Sequence, residues 1–313
     1  MTDKEKNFVS AVIYVHNQAA NIEQFLRMVS GVLSNNFEHA EIICVNDDSS
    51  DGSDTVIRNI SKEFKHISIT IVNMSCYHGL ELSMNAGTNL SIGDFVFEFD
   101  NCISDFTEDD MMRVYRRALE GYDIVSATAD RKIRFSSRFF YWLYNRFSVN
   151  NQEKIGTESF RILSRRVINR VLQMNRSVPY RKVVYQHSGL MFDKITYNPV
   201  QDVRFKDSRK ESAFKWELAI DSLIMFTDFG YRMSLFMALL MLIIIAAAVI
   251  YTFFAYIFSN PVEGWTSTIL FLSVVFFGLF VILTIIIKYL QIIMRMIFKR
   301  QQYTVLSVEK TTK

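Results

Sequence analysis

The chain is 313 residues long, half hydrophobic and 21% charged, a composition that excludes intrinsic disorder and suits about two average domains. Its charge is unevenly divided: 28 Lys/Arg stand against 30 Asp/Glu before Gly230, and seven against two after it. A weakly acidic body with a basic tail argues against a nucleic-acid partner and for cationic flanks on membrane segments.

Residues 8 to 13 (FVSAVI), 41 to 46 (EIICVN), 67 to 73 and 94 to 99 (DFVFEF) read as short β-branched or aromatic strands. Helical stretches lie between them, around Ala20–Leu33, Asp54–Phe64 and Leu80–Leu90. Such alternation predicts an α/β fold with a mostly parallel sheet and crossover helices. Thr107, three residues before Asp110, predicts a capped helix whose apolar face is Met111, Val114, Tyr115 and Leu119 and which ends at Gly121. An aromatic run follows at 139 to 147, then a basic helix expected from Ile162 to Leu172.

Residues 204 to 228 mix basic residues with an apolar stripe, including Phe214, Trp216, Leu218 and Ile220, which reads as an amphipathic helix lying on the cytosolic leaflet. No charge occurs from Met233 to Val262, nor from Gly264 to Ile287. Each stretch exceeds the roughly 20 residues that cross a bilayer core, so two transmembrane helices joined by a tight Pro/Gly turn are expected. Arg232 before them and Lys288, Arg295, Lys299 and Arg300 after them place both ends in the cytosol of a multi-pass plasma-membrane protein. The expected layout is a cytosolic domain over 1–205, a juxtamembrane helix over 206–230, a membrane hairpin over 231–290 and a cytosolic basic tail over 291–313.

Cys44, Cys76 and Cys102 form no C-x-x-C pair and have no His at zinc-ligand spacing, so neither disulfides nor structural zinc are expected. No signal-peptide h-region with a cleavage site opens the chain, which keeps the first domain in the cytosol. Chemistry is expected at the carboxyl ends of strands, where open parallel sheets bind ligands. Strand 41 to 46 runs into Asp47-Asp48-Ser49-Ser50-Asp51-Gly52-Ser53, carboxylates able to bind a nucleotide's base and ribose, or alternatively an acidic turn capping the next helix. Strand 94 to 99 runs into Asp100-Asn101-Cys102-Ile103-Ser104-Asp105, where carboxylates could hold Mg²⁺ or Mn²⁺ bridging a diphosphate.

Together these residues resemble the family 2 glycosyltransferases of GT-A fold, in the membrane-anchored branch of polyprenyl-phosphate glycosyltransferases and dolichol-phosphate mannose synthase-like enzymes. Val12-Ile13-Tyr14-Val15-His16-Asn17-Gln18 is similar to that family's V-I-P-x-Y-N-E opening, and Asp47–Ser53 to its D-D-G-S-x-D-G. Asn85-Ala86-Gly87 with Gly93-Asp94 matches the stretch before its D-x-D strand, Gly156–Leu163 (GTESFRIL) its F-R-L segment, and Arg209 to Trp216 its R-x-x-G-x-S-K-Y segment. Here D-x-D reads Asp100-Asn101-Cys102, without the second carboxylate.

The resemblance implies a Rossmann-like GT-A domain that takes a sugar from a nucleotide-sugar and gives it to polyprenyl phosphate or another lipid-linked acceptor, in bacterial envelope polysaccharide synthesis. Tyr14, His16, Gln18, Asp47, Asp48, Asn101 and Arg161 would bind the donor, and Arg209 and Lys215 the lipid phosphate. Asp100, with Asp105 and Glu158, would be catalytic, and Asp100 would meet the Mg²⁺ or Mn²⁺. Membrane lipids and a second copy of the chain are further partners it allows. A catalytically silent subunit that binds nucleotide-sugar, lipid or a partner transferase stays open as an alternative, favoured by Cys102.

Overall fold

The computed structural model describes residues 4–64, 67–131, 156–173, 181–186, 188–200, 229–258, 264–297 and 303–311, with isolated helical positions at 138, 142, 145 and 146. The expected juxtamembrane helix, with Arg209 and Lys215, lies outside the described residues, as does most of the aromatic run at 139 to 147. Two compact units result, one holding the sheet and one holding the two long helices.

The first unit begins with four strand and helix alternations. They are β1 (Val9–Val15), α1 (Ile22–Asn36), β2 (Ala40–Asn46), α2 (Ser53–Ser61), β3 (Ser68–Met74), α3 (Leu80–Leu90), β4 (Phe95–Phe99) and α4 (Glu108–Leu119). β1 pairs in parallel with both β2 and β4, and β2 with β3, as the sequence predicts. Alternation along β1 explains the layering. Val9, Ala11, Ile13 and Val15 enter the core beneath α1 and α4, while Val12 enters a second core on the opposite face with Ile43, Val45 and Met84. Gly87 lets α3 lie close against that face, since a Cβ there would meet methyls of Val45 and Val12 at 2.5 and 2.6 Å. The Thr107 capping box forms with Asp110 in both directions, and Gly121 at φ 104° follows the end of α4.

Beyond α4 the sheet departs from simple alternation. β5 (Ile124–Ala129) and β6 (Phe160–Ser164) enter antiparallel to each other, β6 lies antiparallel to β4, and β7 (Phe192–Tyr197) pairs in parallel with β5. The helix expected from Ile162 begins only at Arg165, as α5 (Arg165–Gln173), because Ile162 and Leu163 are buried as strand residues beside β4. A short α6 (Arg181–Gln186) precedes β7.

The basic tail contributes a strand of its own. Residues Val305–Lys310 form β8, antiparallel to β3, so the sheet has eight strands in the order β7-β5-β6-β4-β1-β2-β3-β8. Arg58 pairs with Glu309 at 3.0 Å, and Asn73 donates from its amide to Ser307 and Glu309 at 3.0 and 3.1 Å.

The second unit contains α7 (Phe229–Phe258) and α8 (Trp265–Ile297), which pack on each other, with Tyr251 edge-on to Trp265. Stretches Leu235–Phe254 and Thr268–Leu290 are long and apolar enough to cross a membrane. Their apolar side chains face outward, as at Ile243 and Phe271, the reverse of a buried core helix.

Candidate functional site

Strands β2, β1 and β4 lie side by side, so their carboxyl ends bring Asp47, His16 and Asp100 to one edge of the sheet. Asp47 is fully buried there. One of its carboxylate oxygens accepts the His78 N–H at 2.8 Å, and the other accepts the Gly79 N–H at 2.8 Å and the Tyr14 hydroxyl at 2.9 Å. His16 Nδ1–H donates to the Asp47 carbonyl at 2.6 Å. Asp47 therefore fastens the loop after β3 to the ends of β1 and β2. Burial first, and the Asp47 charge second, push the Tyr14 phenol well above its ordinary value, so it stays a hydroxyl donor.

The neighbours of Asp47 shape the rim. Asp48 is exposed in a left-handed conformation at φ 54°, matched by Asn17 at φ 52° across the loop, and such geometry suits Asn and Asp. Asp51 accepts from Ala19 N–H and from Ser53, and Gln18 donates its N–H to Ser53 and its side-chain amide to the His16 carbonyl. In the D-D-S-S-D-G-S segment Asp51 accepts the Ser53 N–H at the start of α2, whose N-cap Gly52 has no side-chain cap, while Asp48 is exposed and His16 partly exposed at the rim of the loop.

The end of β4 carries a different construction. Arg161 on β6, buried to 1% exposure, reaches Glu98 at 3.0 Å, Asp100 at 2.8 Å and Glu158 at 3.0 Å. Arg181 at the start of α6, buried to 2%, reaches Glu81 at 3.0 Å, Glu98 at 2.8 Å and Asp100 at 2.6 Å. Glu98 further accepts the Thr88 and Tyr185 hydroxyls, both at 2.9 Å. Lys182 stands 4.0 Å from Glu158 at the edge of this cluster. Burial alone would raise the Asp100 carboxyl, but Arg161 and Arg181 outweigh it and hold the group well below the usual carboxylate range.

Beside the cluster is a recess of about 120 Å³ lined by Phe99, Asn101, Ile103, Asp105, Phe106, Arg131, Glu158 and Ser159. Its apolar wall rests on packed rings, the Phe106 ring centre lying 4.4 Å from that of tilted Phe160 and 5.6 Å from that of stacked Phe99. Asp105 accepts the Tyr197 hydroxyl at 3.0 Å and pairs with Arg131 at 3.0 Å. Burial nevertheless pushes its carboxyl above the ordinary value.

The structure thus gathers Asn101, Asp105 and Glu158 around one recess, and Tyr14, His16, Gln18 and Asp47 around one loop. The Cys102 thiol links the two, donating to the Tyr14 carbonyl at 3.6 Å. Arg161, expected to meet donor phosphates, instead spends its guanidinium on three carboxylates. Arg181 was not anticipated, since an Arg beginning a short helix has no local signature and is unfavourable toward the helix dipole. What holds it is Glu81, 100 residues earlier, which also accepts its N–H at 2.9 Å.

The expected ion finds a poor donor set. Among the described residues no three His, Cys, Asp or Glu side chains converge as metal ligands. Both Asp100 oxygens are bound to guanidiniums, and Cys102 is a buried thiol whose burial keeps it protonated, a soft group that hard cations disfavour. The described residues around Asp100 do not fit a bound Mg²⁺ or Mn²⁺.

A family model described as glycosyl transferase family 2 matches residues 10–173. Over 282 residues the chain is 26% identical to a bactoprenol glucosyl transferase of Shigella phage SfX, covering 86% of this chain and 88% of that one. Among solved structures, mannosyl-3-phosphoglycerate synthase from Rubrobacter xylanophilus matches with TM-score 0.52 and 16% identity, over 69% of this chain and 74% of that one. Glucosyl-3-phosphoglycerate synthase from Mycobacterium tuberculosis, solved with Mn²⁺, UDP-glucose and phosphoglyceric acid, matches with TM-score 0.50 and 12% identity, over 70% and 79%. Likenesses at such identities show the fold alone, and it is the expected mostly parallel α/β architecture.

Proposed function

The chain belongs to glycosyl transferase family 2, and on that premise we propose that it moves a sugar from a nucleotide-sugar donor to polyprenyl phosphate at a membrane surface. One observation carries the acceptor assignment. The match to the bactoprenol glucosyl transferase takes in so much of the chain that it must include at least the first long apolar helix, so the likeness extends beyond the sugar-transfer domain. The silent-subunit alternative has no support among the relatives.

The donor's base and ribose are assigned to the loop that Asp47 fastens, with Tyr14, His16, Gln18 and Asp48 at its rim. The sugar is assigned to the recess beside Asn101, Asp105 and Glu158. An anionic oxygen of the acceptor phosphate attacks the anomeric carbon, forming a new C–O bond as the bond to the nucleoside diphosphate breaks and its electron pair leaves with the diphosphate. Because a phosphate oxygen is already charged at neutral pH, this attack needs no strong general base. Leaving charge is assigned to Arg131 in the lining of the recess, with Lys182 standing behind Glu158. Arg209 and Lys215, basic residues that precede the apolar helices, are assigned to the lipid phosphate.

The flanking charges favour an inner-membrane hairpin with both ends in the cytosol, where nucleotide-sugars are made. Purified in detergent and offered UDP-, GDP- and other nucleotide-sugars with undecaprenyl phosphate, the protein is expected to release nucleoside diphosphate only when the lipid is present. Release independent of the lipid would overturn the acceptor, and release from no donor the reaction.

A further inference from the structure

A divalent ion at the end of a strand takes several hard oxygen ligands, of which the protein commonly supplies carboxylates and the substrate its phosphates. At β4 those positions are already taken. Asp100 gives one oxygen to Arg181 at 2.6 Å and the other to Arg161 at 2.8 Å. Two residues on, where a second carboxylate would share the ion, Cys102 is buried and hydrogen-bonded to the Tyr14 carbonyl. Glu98, the other carboxylate on that strand face, is fully buried and already receives Arg161, Arg181, Thr88 and Tyr185. A cation brought to Asp100 would lie against two permanently charged guanidiniums that Glu81, Glu98 and Glu158 keep from moving aside.

We infer that the Arg161–Arg181 pair stands in the place of a divalent ion in this chain: Asp100 is the counter-anion that locks the pair, and sugar transfer proceeds without a metal. This deepens the transferase reading and rests on it. Asp100, Glu81, Glu98 and Glu158 take up the charge of the pair, so it fills the ion's place while offering no open coordination position, and a chelator cannot remove it. Asp100 is accordingly a positioning residue, acting through the two arginines, and Arg161 in turn holds Glu158 in the wall of the recess.

The test uses the full-length wild-type protein in detergent. Mn²⁺ is titrated while the free-ion electron paramagnetic resonance signal is followed, with and without UDP and against a UDP-only control, and donor turnover is measured in EDTA and in Mn²⁺. The expected result is no protein-bound Mn²⁺ in either titration and turnover in EDTA within about twofold of that in Mn²⁺. Mn²⁺ retained at micromolar concentration and released in Asp100→Asn would overturn the inference, as would turnover that falls about tenfold or more in EDTA and returns with Mn²⁺. If no donor turns over in either buffer, the transferase reading fails separately. The Mn²⁺ titration then still decides what holds the site: bound ion overturns the arginine-for-metal placement, and unbound ion upholds that placement while the claim of metal-free transfer falls with the reaction.

Discussion

Asp100 and Asp105, five residues apart, are driven in opposite directions by their surroundings. The two guanidiniums at Asp100 outweigh its burial, so the folded chain binds that proton less tightly than the unfolded one does. Its contribution to stability is complete above the ordinary carboxylate range, about pH 4, and is lost as pH falls toward the lower folded value. Asp105 has the reverse sign: burial raises its carboxyl, so stability drains as pH rises through the folded value. Asp100→Asn should therefore destabilise the protein at pH 7 by about 3–5 kcal/mol, as expected when a buried pair loses one partner. That deficit should shrink below about pH 4 as the wild type takes up the proton. Chemical unfolding in detergent across a pH series checks this, and a gap that stays constant with pH would show that the charge of Asp100 is not what holds the pair. Tyr14→Phe removes one of three donors to the Asp47 carboxylate, a loss of about 1 kcal/mol. Steady-state kinetics should show the donor KM rising about fivefold with kcat unchanged, the pattern of a group that shapes binding alone.

At the scale of elements, what could be read in the sequence is what depends on local pattern. β1 to β4 and the helices between them declare themselves because each strand is buried on both faces and each helix carries one apolar stripe. The Asp47 loop was legible for the same reason, as an acidic turn directly after a strand. β8 was not: its residues are largely exposed, and what holds them is a polar ladder across three strands, from Asn46 to Asn73 and on to Ser307 and Glu309. The arginine pair was hidden likewise, since the partners of Arg181 lie on α3 and β4. The segment entering β8 also touches the Asp47 loop. Thr304 N–H donates to His78 Nε2 at 3.2 Å, and the His78 N–H is one of the donors that fasten Asp47. Deleting residues 303–313 should therefore lower the melting temperature and weaken donor binding together. Glu309→Ala, which removes a half-exposed ion pair with Arg58 and one Asn73 hydrogen bond but leaves the β8 backbone in place, should cost about 1–2 kcal/mol and leave donor affinity unchanged. Thermal unfolding and nucleotide titration of the two variants side by side test this, and an affinity that survives the deletion would show that β8 merely covers the edge of β3.

At the scale of the whole molecule, the proposed membrane anchoring makes the two long helices decide how the enzyme meets its acceptor. A helix of 30 residues is about 45 Å long, more than the roughly 30 Å of a bilayer's hydrocarbon core, and 33 residues give slightly more. Their outward apolar side chains, such as Phe236, Ile243, Phe271 and Ile282, are exposed among the described residues, and lipid is the solvent that suits them. An enzyme anchored this way encounters a lipid acceptor by diffusion within a surface, where the relevant concentration is acceptor per unit of membrane rather than per litre. In vesicles at fixed bulk undecaprenyl phosphate, adding inert phospholipid should therefore lower the transfer rate in proportion to the acceptor's mole fraction, about tenfold for a tenfold dilution while the acceptor is below saturation. Donor KM should not change, because the nucleotide-sugar arrives from water. A rate that follows only bulk acceptor would mean that the acceptor reaches the site from solution and that the hairpin serves attachment alone.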